Sequence, residues 1–141
     1  MLARVASAEL MQPTRRGGAV AQSQNTTVEL TTRATSFRGL SAYGNVIIGD
    51  RAFEFYNERN PEDFIQIPWN EIDYIAASVM LGNHIPRFAI FTKGGASFSF
   101  STKDNKRTLR AVREHVPADR IQRSPTFLDV VKLGAKTLFK H

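Results

Sequence analysis

Residues 87–101 read RFAIFTKGGASFSFS, and this stretch decides the fold. Apolar side chains recur at every second position, at Phe88 and Ile90 and again at Phe98 and Phe100, as a strand with one buried face requires. Between the two runs lie Lys93-Gly94-Gly95, whose glycines supply the backbone freedom of a tight reversal. Arg87 to Thr92 and Ala96 to Ser101 are therefore expected to pair as an antiparallel hairpin. One face carries the four apolar residues into a core; Arg87, Ser97, Ser99 and Ser101 take the other face or the edge.

The same period of two extends upstream, interrupted by turn residues at short intervals. Val28 and Leu30 alternate with Glu29 and Thr31 in a first strand reaching about Ala34. Asn45 to Ile48 forms a second, and Gly49-Asp50 turns the chain into Ala52 to Tyr56, where Phe53 and Phe55 share a face. Phe64 to Ile67 and Ile72 to Met80 follow, joined through Pro68-Trp69-Asn70. Most of the ten phenylalanines are spent on this core, since full burial of such a side chain contributes roughly 1.5–3 kcal/mol. Downstream, Asp104 is placed to cap a helix over Asn105 to Val116, with Leu109, Val112 and Val116 in one arc and Lys106, Arg110, Arg113 and Glu114 outside it. Pro117 stops it.

About seven short antiparallel strands followed by one amphipathic helix is the element order of a pleckstrin-homology-like barrel, capped by its helix. The fold class expected is thus mainly β with C-terminal helices. Residues 1–24 read as a disordered tail, 25–117 as the barrel with its capping helix, and 118–141 as a linker and a second, basic amphipathic helix. The first 24 residues hold Pro13, Arg15-Arg16 and Gly17-Gly18. They offer no apolar run long enough for a secretory signal, and a tail is favoured over a transit peptide.

A chain of 141 residues with 42% hydrophobic and 23% charged content suits one folded domain with a real core rather than a large multidomain enzyme. No window reaches the ~18 consecutive apolar residues of a spanning helix. The absence of cysteine excludes disulfides, thiolate metal sites and a cysteine nucleophile. The formal charge of +6 is unevenly placed. Residues 1–24 carry a small basic excess, residues 25–103 are close to neutral, and residues 104–141 hold nine basic groups against Asp104, Glu114, Asp119 and Asp129. A basic terminus on a neutral body is suited to an anionic partner: a phospholipid surface, a nucleic acid or an acidic protein face.

Ser124-Pro125 provides a cap and an N1 proline for the second helix, expected to run to Lys140. At ~100° per residue, Phe127, Leu128, Val130, Val131, Ala135, Leu138 and Phe139 fall on one broad face. Lys132, Lys136 and Lys140 share the opposite one with Asp129, and only Leu133 is out of place. Such a helix suits the headgroup layer of an anionic membrane or a groove on a membrane protein. Its other reading is ordinary packing on its own domain, with the lysines as a solvated back.

Chemistry-bearing constellations are scarce. His84, His115 and His141 share no metal-ligand spacing, so no metal and no cofactor is expected. Gly94-Gly95 belongs to a hairpin rather than to a phosphate-cradling loop. Glu71 and Asp73 would share a strand face, but a solvated sheet edge accounts for them better than a catalytic dyad. No enzyme is expected and no catalytic residue is assigned. Candidate partner contacts are Trp69, between core anchor and exposed contact, and His84, Ile85 and Arg87 in the loop Gly82 to Arg87. Lys106, Arg107, Arg110 and Arg113 could meet nucleic acid, though no second helix of a helix-turn-helix stands beside them.

Thr35-Ser36-Phe37-Arg38-Gly39-Leu40, Ile48-Gly49-Asp50-Arg51-Ala52-Phe53-Glu54-Phe55, Gln66-Ile67-Pro68-Trp69 and Ile85-Pro86-Arg87-Phe88-Ala89-Ile90 together resemble the ManO family. That group is defined by a domain of unknown function and encoded with mannose-type sugar phosphotransferase systems of low-GC Gram-positive bacteria. The similarity covers about Ala21 to Phe139. It implies a regulatory or accessory protein that binds the mannose permease subunits from the cytoplasm, peripheral on the inner face of the cell membrane. On this reading Phe127, Leu128, Val131, Leu138 and Phe139 give buried contact, and Lys132, Lys136 and Lys140 attract lipid phosphates. The rivals are a DNA-binding transcriptional regulator of the same operon and, less favoured, a protein phosphorylated on His84 or His115.

Overall fold

The computed structural model describes residues 4–6, 22–38 and 40–125. They form strands β1 (Arg4–Ala6), β2 (Val28–Arg38), β3 (Leu40–Gly49), β4 (Ala52–Asn57), β5 (Phe64–Pro68), β6 (Ile72–Met80), β7 (His84–Thr92), β8 (Ser97–Thr102) and β9 (Ile121–Pro125), and helix α1 (Asn105–Val112). The strands make one open, mixed sheet in the order β1-β5-β4-β3-β2-β8-β7-β6-β9. Two antiparallel meanders, β2 to β5 and β6 to β8, meet where β2 lies beside β8 over three pairs, Ala34 with Thr102, Thr35 with Ser101 and Ser36 with Phe100.

The hairpin expected at residues 87–101 forms with Phe88 opposite Phe100 and Ile90 opposite Phe98. All four are buried, while Arg87 and Ser97 are exposed. Gly95 supplies a positive φ of 93° at the turn. Both meanders feed one core. Phe53 of the first packs edge-on against Phe88 of the second at 6.0 Å and, with its ring tilted, against Phe100 at 4.9 Å, arrangements that add to plain area burial.

Strand β4 departs from simple alternation, because Ala52, Phe53, Glu54 and Phe55 are all buried. Phe53 and Phe55 face the core; Glu54, opposite Gln66 on β5, faces outward and is covered by Gln22 to Asn25. The Glu54 carboxylate accepts from Ser23 Oγ, from Gln24 N at 2.7 Å and from Asn25 Nδ2 at 3.1 Å. Gln66 Nε2 donates to Gln22 O at 2.8 Å and to the Tyr56 hydroxyl at 2.9 Å. Burial pushes the Tyr56 phenol up to about 12.

Arg4–Ala6 pairs with β5, and Gln22 to Gln24 close over β4 and β5, where the buried, outward-facing Glu54 and Gln66 require partners.

Asp104 caps α1 as expected, its Oδ1 accepting from Arg107 N at 3.0 Å. The helix ends at Val112 rather than Val116. The turn before Pro117 tightens, Glu114 N bonding Ala111 O at 3.2 Å and His115 N bonding Val112 O at 2.9 Å, the i to i+3 pattern with which helices finish. Leu109, Val112 and Val116 all reach the core, as their spacing predicts.

The largest departure lies at the other end. Ser124 and Pro125, expected as the cap and first residue of a helix, belong to β9, and residues 121–125 pair in parallel with β6, from Ile75 with Ile121 to Val79 with Pro125. The expected helix Phe127 to Lys140, with Leu128, Val131, Lys132, Lys136, Leu138 and Phe139, lies outside the described residues.

Candidate functional site

A concave groove of about 390 Å³ opens between α1, the end of β6, the start of β7 and β9. Its floor is apolar, made by Ala77 and Val79 of β6, Ile85 of β7, Leu109 of α1 and Ile121 of β9. Ala77 and Leu109 are buried, and Ile85 and Ile121 pack against the core from the groove side. Its rim is cationic: Lys106 and Arg110 from α1, Arg113 at its C-cap and Arg123 from β9. None of the lining residues carries a carboxylate.

The local sequence explains this placement. Positions 106, 110 and 113 are spaced i, i+4 and i+7, which sets them along one side of a helix, while Leu109 and Val112 turn to the core. Among the described residues, Lys106, Arg110 and Arg113 form no ion pair, and all three are exposed. Arg123 Nη2 approaches Gly82 O at 3.5 Å. The β6–β7 reversal beside it carries Leu81 at φ 47° and Gly82 at φ 84°. Leu81 is 78% exposed, an apolar side chain held outward at the groove's end of the molecule.

The four binding candidates named from the loops do not converge. Ile85 lines the groove, and Asn105 Nδ2 donates to its carbonyl at 2.8 Å, fixing the start of β7 to α1. His84 is exposed next to it. Arg87 lies outside the groove, its guanidinium 6.0 Å from the Phe37 ring. Trp69 is an anchor: its Nε1 donates to Gly49 O at 2.9 Å and its ring stacks on His115 at 4.5 Å. His115 in turn contacts Glu29 Oε1 at 2.7 Å. Asp73 is exposed and Glu71 half-buried. Among the described residues no three histidine or acidic side chains gather as a metal would require, and no helix is long and apolar enough to cross a membrane.

Sequence reasoning singled out Lys106, Arg110, Arg113 and Ile85 but not the groove they share with Ala77, Val79, Leu109, Ile121 and Arg123. Ile121-Gln122-Arg123-Ser124 carries a single apolar residue and so gives no strand period that could have marked β9.

The model of a domain of unknown function, DUF956, matches residues 20–135. The chain belongs to the DUF956 family. None of the curated proteins compared matches it. Among solved structures, the DUF956 chain is similar to the C-terminal domain of an unknown protein from Leishmania infantum, with a TM-score of 0.57 at 12% identity over 63% of this chain and 83% of that one. Similarity at that identity concerns the fold alone.

Proposed function

We propose that the protein is a non-enzymatic regulator that binds a mannose-type phosphotransferase permease at the cytoplasmic face of the membrane. The observation that carries this reading is the exposed cationic face of Lys106, Arg110, Arg113 and Arg123, at the place where β9 leads on toward Phe127 to Lys140. The resemblance to the ManO family supplies the partner. Two meanders packed over one core with α1 after them support a pleckstrin-homology-like barrel as the recognition body. The amphipathic segment Phe127 to Lys140 is then the membrane-proximal element, with Lys132, Lys136 and Lys140 toward lipid phosphates.

Replacing Lys132, Lys136 and Lys140 together by glutamate is expected to release the protein from membranes containing the permease while its circular dichroism stays unchanged. Undiminished co-sedimentation would refute the reading. The DNA-binding alternative is favoured by one observation, the exposure of Lys106, Arg107 and Arg110 on α1 and of Arg113 at its C-cap. A salt-sensitive gel shift with operon promoter DNA would support it.

A further inference from the structure

We propose that the groove between α1 and β9 docks an acidic amphipathic peptide segment of a partner protein. The inference rests on the binding-protein reading above and adds the chemistry of what is bound.

An apolar floor by itself would accept any apolar ligand, and a cationic rim by itself would accept any polyanion. Joined in one concavity, Val79, Ile85, Leu109 and Ile121 below Lys106, Arg110, Arg113 and Arg123 require a ligand with an apolar face and acidic flanks. The cations at positions 106, 110 and 113 are spread over seven residue steps, ~10 Å along the axis of α1 and its C-cap, so the ligand needs acidic groups over about two turns or three strand residues. A peptide laid along α1 meets that condition.

Other occupants fit less well. Residues 126–141 bring Lys132, Lys136 and Lys140 against a single Asp129, setting like charges together. A bilayer is flat or convex at this scale and does not reach the floor of a groove. A nucleic acid backbone gains nothing from Val79, Leu109 and Ile121.

The test uses the full chain with methyl-labelled side chains and a fluorescent fourteen-residue synthetic peptide, leucines on one helical face and glutamates on the other. Saturable binding is expected, with shifts concentrated on the methyls of Val79, Ile85, Leu109 and Ile121. Arg110→Glu with Arg113→Glu, both exposed, should weaken it at least ~tenfold without altering the circular dichroism. A peptide with serine in place of leucine should weaken it comparably. No saturable binding, shifts centred elsewhere, or undiminished affinity in the double variant would overturn the proposal. So would a tenfold gain in affinity on removal of residues 126–141, which would make that segment the natural occupant. Phosphatidylserine vesicles that displace the peptide and shift the same methyls would assign the groove to lipid instead. Because this measurement needs no membrane, its failure is separable from failure of the lysine-reversal test.

Discussion

Glu54 shows how one residue ties the segment before β2 to the sheet. It is fully buried, and a carboxylate in that position persists only when its oxygens are hydrogen-bonded. Three donors from Ser23, Gln24 and Asn25 meet it. Asn25 Oδ1 also accepts from Arg51 N at 2.8 Å and Ala52 N at 2.7 Å. Segment 22–25 therefore serves as the outer cover of β4 and β5. Glu54→Ala removes the acceptor and strands buried donors, each costing about 1–3 kcal/mol when unsatisfied; a total loss of roughly 2–4 kcal/mol is expected. Glu54→Gln keeps one oxygen and should lose clearly less. Urea denaturation of the three proteins decides this, and equal midpoints for both variants would show that the carboxylate does not hold the segment.

At the level of elements, strand β3 runs so close to β4 that Gly44 has no room for a side chain. A Cβ there would stand 1.9 Å from Tyr56 O, a backbone atom that cannot rotate away. Gly44→Ala must push β3 from β4 and is expected to lose about 3 kcal/mol, the upper part of the usual overpacking range. Gly82→Ala, with open space around it but φ 84°, should lose only the ~1–2 kcal/mol of a left-handed backbone. Thermal melts that ranked the two in the opposite order would contradict this account. Elements with strict alternation, such as β7 and β8, were legible because their own residues specify a buried face. The second half of β2 was not. Ser36 is a core position, 3% exposed between Ala42 and Phe100, and a buried serine breaks the apolar period on which the reading of a strand depends. β9 was missed for a different reason. Ser124-Pro125 is a helix-start signal locally, and only the free edge of β6 makes an extended strand the better partner. The groove was illegible because its walls come from four separated segments.

For the molecule as a whole, charge is arranged by region rather than by fold. The body over residues 25–103 is close to neutral, whereas nine of the nineteen basic groups fall in residues 104–141. On this arrangement, attraction to an anionic surface is long-ranged and set by few groups, while any apolar contact made afterwards is short-ranged. Screening separates the two: the Debye length falls from ~10 Å at about 0.1 M salt to ~3 Å at about 1 M, leaving apolar burial nearly untouched. If electrostatics recruits the protein, sedimentation with phosphatidylserine vesicles should fall at least ~tenfold across that range, each cation near the surface contributing about 1 kcal/mol at low salt. Phosphatidylcholine vesicles should retain little protein at either salt. Retention on both vesicle types that persists at high salt would mean that exposed apolar residues such as Leu81, rather than the basic C-terminal region, hold the protein at a membrane.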